Sequence, residues 1–226
     1  MKKIATISFQ LISLGALKAQ GRPETGAWIG LQAPVIISKH IQWHNDAGYR
    51  TLGSAVVPYQ YLYRTGIRYN FNGQWNMAGG VAFFFTRSTY SRTNDEFGNE
   101  FRFWEEVNYQ RSINEKLQWQ TRFRTDERFF AGTSIKTKYT AYRFRLRSGL
   151  VQKINNKWNI QLADEYMQQQ QDRKFSFNQN RVIFTGTHLL NKSTQIQGSY
   201  MWVVWPTEDQ HIFILNFIKS ISLHGS

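Results

Sequence analysis

Residues 100–130 read EFRFWEEVNYQRSINEKLQWQTRFRTDERFF, and the alternation within them decides the fold. Arg102, Trp104, Glu106, Asn108 and Gln110 share one parity; Phe101, Phe103, Val107 and Tyr109 share the other, with Glu105 as the exception. After the polar pentad 112–116 the pattern resumes. Leu117, Trp119, Phe123 and Phe129 fall on one side, and Gln118, Gln120, Arg122, Arg124, Asp126 and Arg128 on the other. A period of two is that of a β-strand, and two such strands across a short Asn-bearing turn make a hairpin. One face of this hairpin is almost continuously charged, the other aromatic and aliphatic. In a soluble sandwich the apolar face would be the core. In a membrane barrel it would meet lipid, and the arginine face would line an enclosed lumen.

The rest of the chain favours the barrel. Residues 1–20, MKKIATISFQLISLGALKAQ, have a basic start, an apolar middle and small residues before Gln20. That is the pattern of a secretory signal peptide, cleaved near Ala19 or Gln20. Residues 21–226 are then expected to form one outer-membrane domain, since no second compositional regime or Pro/Ser linker interrupts them. Removing Lys2, Lys3 and Lys18 from the 28 Lys and Arg leaves 25 bases against 15 acids. No later apolar run approaches the ~20 residues of a membrane helix. Cysteine is absent, so an exported chain must draw stability from an extensive sheet or from the membrane, and zinc–thiolate sites are excluded. Eight Trp, eleven Tyr and seventeen Phe coexist with a mean hydropathy of −0.51, as expected when half of every strand faces a polar interior. The basic balance alone would also suit nucleic acid. Export, and the interleaving of basic with apolar positions, argue against that partner.

Alternating segments at 26–37, 41–49, 58–69, 75–87, 139–151, 158–167, 177–190, 194–205 and 211–218 join the two arms of the opening hairpin. Pro34 weakens the first as a regular central strand. Short turns at 71–74, 112–116, 154–157 and 191–193 interleave with longer polar loops at 88–99, 131–138, 168–176 and 206–210. Outer-membrane barrels show this asymmetry, with short periplasmic turns and longer external loops. Trp and Tyr recur near strand ends (Trp75, Trp119, Trp158, Trp202, Trp205, Tyr139), as an interfacial girdle requires. The expected fold is all-β, an antiparallel transmembrane β-barrel of about 10–12 strands. The segments number eleven, whereas single-chain bacterial barrels have even counts. Ten strands follow if 26–49 is one bent strand, and twelve if one has been missed.

The order of motifs, FRFWEEVNYQRSINEKLQWQTRFRTDERF, then YRFRLRSGL, WNIQLADEYM, FNQNRVIFTGTHL and a late GSYMW, resembles an uncharacterised family of bacterial outer-membrane β-barrels. That family, common in Bacteroidetes, carries only a domain-of-unknown-function label. The resemblance runs from Trp28 to Phe217. It implies a small barrel in the outer membrane and implies no activity.

Three functional readings remain. In the first, the barrel is non-catalytic and its narrow lumen is plugged by charge-assisted hydrogen bonds. The inward parity supplies Arg102, Glu106, Arg122, Arg124, Asp126, Arg128, Arg143, Arg145, Arg147, Glu165 and Arg181. Buried charges are costly unless paired, and these bases outnumber the acids, so the surplus should meet water, an anion or lipopolysaccharide phosphate near the rim. A variant of this reading is a small pore, which a ring of arginines would make anion-selective. In the second, the barrel is a lipid hydrolase or deacylase. The histidines (His40, His44, His188, His211, His224) would have to supply a base, and His188 lies near Ser193 and Ser199 on adjacent strands, though beside an expected periplasmic turn. No Gly-x-Ser-x-Gly elbow exists. In the third, the barrel anchors an envelope complex whose protein partners the sequence does not name. Outer-membrane lipid and lipopolysaccharide are the expected surroundings, and no cofactor is expected. Metal sites are weak: His40 and His44 lie ~13 Å apart along one strand face, Asp164 and Glu165 point to opposite faces, and 94–96 lack calcium-loop spacing. Gly79 and Gly80 inside a strand suggest a bulge or sharp curvature.

Overall fold

The computed structural model describes residues 24–51, 57–88 and 96–223. The segment read as a signal peptide, and His224, lie outside them. The elements are β1 (Glu24–Gln32), β2 (Val35–Ile36), β3 (Ile41–Thr51), β4 (Pro58–Asn70), β5 (Trp75–Arg87), β6 (Phe97–Ser112), β7 (Leu117–Phe130), β8 (Tyr139–Lys153), β9 (Trp158–Gln171), β10 (Lys174–Asn191), β11 (Thr194–Val204), β12 (Asp209–Lys219) and β13 (Ile221–Ser222). From β3 to β12 every strand pairs antiparallel with the next. The ring closes through β1, which pairs antiparallel with β3 and parallel with β12. The result is an eleven-strand barrel; β2 and β13 extend the seam as a short parallel pair.

The expectation of an even count is therefore overturned. Consecutive hairpins reverse the chain each time, so an odd number of strands brings the first and last together in the same direction. The closing ladder must then be parallel, and here it holds nine paired positions from Glu24↔Gln210 to Gln32↔Ile218. Residues 26–37 are one strand path interrupted at Ala33–Pro34, because proline cannot donate to a ladder. Odd closure also puts Glu24 and Ser222 at opposite ends of the barrel.

The short turns share one chemistry. Asn72, Asn114 and Asn155 each accept two backbone N–H bonds with their side-chain oxygens, from Gln74 and Trp75, Lys116 and Leu117, and Lys157 and Trp158 respectively. Ser38 does the same for His40 and Ile41. Such side-chain-to-backbone bonds fix a tight reversal, and of these four turns only the one at Asn72 also holds a glycine, Gly73. At the other end, residues 168–176, expected as a loop, are instead paired strand. β9 and β10 continue past the barrel wall to a two-residue turn at Asp172 (φ 50°) and Arg173 (φ 63°). Both central residues take positive φ, as a hairpin of this twist demands, without the glycine that usually announces it.

Outward-facing positions are large and apolar all round the wall: Ile29, Leu31, Ile67, Phe83, Phe103, Phe123, Leu146, Leu162, Phe184, Phe213 and Leu215 are exposed. A 13-residue strand such as β4, at about 3.3 Å per residue and tilted about 45°, spans about 30 Å, the thickness of a hydrocarbon layer. An apolar belt of that height on a closed sheet is a lipid-facing surface. Aromatic pairs rim it, including Trp75 against Tyr109, and Tyr69 against Phe71.

The lumen is a packed interior with two apolar patches. Leu62, Ala78, Ala82, Phe84 and Trp104 form one. Ile183, Met201, Val203 and Ile212 form the other, with Trp28, Trp205 and Ile214 against it. The Gly79–Gly80 pair sits in an unbroken ladder, so it is no bulge. Gly80 faces Gly66, and a Cβ on either would collide with the opposing backbone; one on Gly66 would also lie 2.6 Å from the Trp104 ring. The glycines bring two strands under that indole.

The parallel seam yields a direct test. Ile29→Cys with Leu215→Cys, in a chain free of native cysteine, should be bridged by a short bismaleimide in folded protein, giving a large-loop species with altered migration on denaturing gels. A ten- or twelve-strand barrel would not bring these two positions together.

Candidate luminal ionic site

The candidate site is the charged wall built by β6 to β10. The pleat delivers Glu100, Arg102, Trp104 and Glu106 from β6 and Arg122, Arg124, Asp126 and Arg128 from β7 to the same side. β8 adds Arg143, Arg145 and Arg147, and β9 adds Glu165. β10 reaches the same face through a bulge between Phe177 and Gln179, which shifts parity so that Gln179 and Arg181 both point inward. All eleven residues read from the sequence as inward lie on this luminal face. Seven of them (Arg102, Glu106, Arg124, Asp126, Arg128, Arg143 and Glu165) are buried.

Carboxylates organise the wall. Glu165, 1 % exposed, accepts from Arg122 Nη2 at 2.5 Å and from Arg145 Nη2 at 3.0 Å, and Arg181 Nη1 lies 3.5 Å away. Asp126 accepts from Arg124 Nη2 at 2.7 Å and faces Arg145 Nη1 at 3.5 Å. Glu106 accepts from Arg68 Nη2 at 3.1 Å, with Arg124 and Arg122 at 3.7 and 3.8 Å. Glu100 receives Arg102 Nε at 2.5 Å and Arg128 Nε at 2.6 Å. Each carboxylate serves two or more guanidinium groups, so the ion pairs join into a network. Several bonds leap a strand. Arg122 reaches Glu165 over β8, and Arg68 reaches Glu106 over β5, where Ala78, Gly80 and Ala82 leave room.

Sequence reasoning missed part of this site. Asp46 pairs with Arg64 through two hydrogen bonds and lies 3.6 Å from His44 Nε2. Glu100 sat inside the opening stretch, on the parity of Arg102, and so was legible. Asp46, Arg64 and Arg68 also lie at two-residue spacing from luminal neighbours. Their signal was diluted because glycine, leucine and glutamine fill the intervening inward positions. Arg50 is luminal too, donating to Gln60 and stacking 3.9 Å from the Trp28 ring centroid.

Two cavities flank the network. The larger, about 710 Å³, opens toward the loop end; eleven arginines and four carboxylates line it. The smaller, about 240 Å³, lies toward the short turns and includes Arg68, Asn76, Asn108 and Gln120. Arg122, Arg147 and Gln161 border both. There Arg147 donates to Gln161 at 3.0 Å and Gln161 donates to Gln120 at 3.1 Å. Outside the wall, Glu96 binds the Ser134 hydroxyl and backbone N–H, joining two loops and holding its carboxyl below the usual carboxylate range.

His188 and Ser199 are not brought together. His188 faces outward, 4.3 Å from the Trp158 ring, while Ser199 points into the lumen and bonds Thr185. His40 and His211 stack on Tyr69 and Tyr200. His44 meets Asp46 and the Trp104 edge. Among the described residues, no group of three or more His, Cys, Asp and Glu could hold a metal ion.

A family model matches residues 25–210. The chain belongs to the family described as "Protein of unknown function (DUF2490)". Membership covers almost the whole barrel. No curated protein matches the chain. A solved chain described as "NanC porin structure in rhombohedral crystal form" aligns at 11% identity with a TM-score of 0.47, covering 82% of this chain and 92% of that one.

The network makes a stability prediction. Glu165→Ala leaves Arg122, Arg145 and Arg181 facing one another without their shared carboxylate, and should cost about 3 kcal/mol or more. Glu105→Ala, on the lipid face, should be neutral or stabilising. Urea unfolding in lipid vesicles measures both.

Proposed function

We propose that the protein is a non-catalytic outer-membrane barrel, exported by residues 1–20, whose lumen is closed at mid-height by an arginine–carboxylate partition. The observation that carries this reading is the layer shared by the two cavities. Arg122, Arg147 and Gln161 border both spaces, and Arg122 is tied to Glu165, Gln161 to Gln120. Side chains held by two or more partners do not swing aside at the cost of a single hydrogen bond, so the partition resists passage of hydrated ions. Burial of Glu165, Asp126 and Arg124 supports a lumen filled as a core is filled.

A second reading has one observation in its favour. Eleven arginines against four carboxylates around the larger cavity would select anions if the partition parted. Planar-bilayer recording separates the two. The parent protein should show no steady conductance. Arg122→Ala combined with Gln161→Ala should conduct with anion preference, because it removes the shared layer and keeps the surrounding positive field. Steady conductance in the parent, or a silent double variant that is folded, would overturn the closed-partition reading.

A further inference from the structure

We propose that the 710 Å³ cavity at the loop end binds a small soluble organic anion, a phosphate or carboxylate attached to an apolar body. This inference does not depend on whether the partition below is closed.

The first support is a pair of arginines without carboxylates. Arg143 is 8 % exposed and lines the cavity, its Nε is buried without a hydrogen-bond partner, and among the described residues no carboxylate oxygen lies within ion-pair distance of its guanidinium. Among the described residues Arg50 has a single side-chain hydrogen bond, to the neutral Gln60. A buried guanidinium without a counter-charge is costly, and an incoming anion removes that cost. Arg102 and Arg128 intensify the field near Arg143, since both share the one carboxylate of Glu100.

The second support is the spacing of the charges. Phe84 has Arg102 at 3.6 Å and Arg50 at 5.9 Å from its ring centroid, so the two guanidinium groups are no farther apart than those distances combined. Trp28 likewise has Arg50 at 3.9 Å and Arg181 at 5.7 Å. Cations and aromatic rings thus alternate around one side of the cavity. Beside the charged wall, from its β10 edge across β11 and β12, stand Ile183, Met201 and Ile212, apolar side chains that also line it. A cavity of this size, with convergent donors on one side and apolar surface on the other, has the make-up of a ligand pocket. The charges select an anion and the apolar wall selects its body.

Phenyl phosphate and inorganic phosphate are the probes, titrated calorimetrically at matched ionic strength into protein folded in lipid-free, uncharged detergent. Phenyl phosphate should bind saturably at one site and more tightly than inorganic phosphate. Arg143→Gln and Arg50→Gln each delete an uncompensated charge, so both should fold as well as the parent while binding about tenfold more weakly or worse. Arg68→Gln, at the other cavity, should bind as the parent does. Three results would overturn the proposal: no saturable heat, equal affinity for the two probes, or equal weakening by Arg143→Gln and Arg68→Gln, which marks diffuse counter-ion attraction. Lipopolysaccharide added to the micelles should leave phenyl phosphate binding unchanged, because the site is inside the wall; competition would assign it to a lipid phosphate at the rim instead.

Discussion

The pairing of guanidinium with carboxylate inside a closed wall is the interaction on which this structure rests. Many of the inward charges are buried, and a buried charge is costly unless a partner is held beside it by the sheet. Five buried carboxylates, Asp46, Glu100, Glu106, Asp126 and Glu165, supply those partners. Arginine suits the task because its planar, five-donor fork can serve two acceptors at once, as Arg145 does between Asp126 and Glu165. Lysine, with its point charge, is confined among the described residues to turns, loops and strand ends such as Lys116, Lys136, Lys157 and Lys192. The same pairing sets the limit of the arrangement. There are fewer acids than bases, and the residual positive charge collects around one cavity.

Closure follows from counting. A sheet with a lipid-facing belt cannot leave an edge in the bilayer, where unpaired N–H and C=O groups find no water. An odd meander meets that requirement only by a parallel seam. The first strand path supplies it despite Pro34, resuming as β2 so that the ladder continues on to β13. Apolar inward residues on β10 to β12 lie between the charged wall and the seam. Cross-section is therefore uneven: one side is packed like a core, the other like a salt lattice, and the larger cavity touches both.

Much of this was legible in the alternation alone. Strand parity in residues 100–130 and 139–151 assigned nine charged residues to one face, the face that the closed sheet encloses, because β-pleat geometry leaves no freedom once pairing is antiparallel. The eleven segments were visible too, and it was the general rule of even counts that argued against them. Local sequence failed where tertiary space decides. Gln168 to Ser176 looked like a solvated loop because glutamine-rich composition has no apolar face, yet the hairpin there extends past the membrane and has little need of one. Asp172 and Arg173 gave no turn signal, since neither is glycine. Which arginine meets which carboxylate was beyond reach, because Arg122–Glu165 and Arg68–Glu106 each cross an intervening strand. The uncompensated Arg143 and Arg50 emerge only once those partners are assigned.

The account stands on which face of the wall meets acyl chains. Single-tryptophan variants in vesicles with brominated acyl chains address it directly, one retaining only Trp75, exposed on the outer face, the other only Trp104, buried in the lumen. Bromine should quench Trp75 strongly and leave Trp104 near its unbrominated intensity. Quenching of Trp104 to the same extent as Trp75 would place the arginine face against lipid and contradict the account.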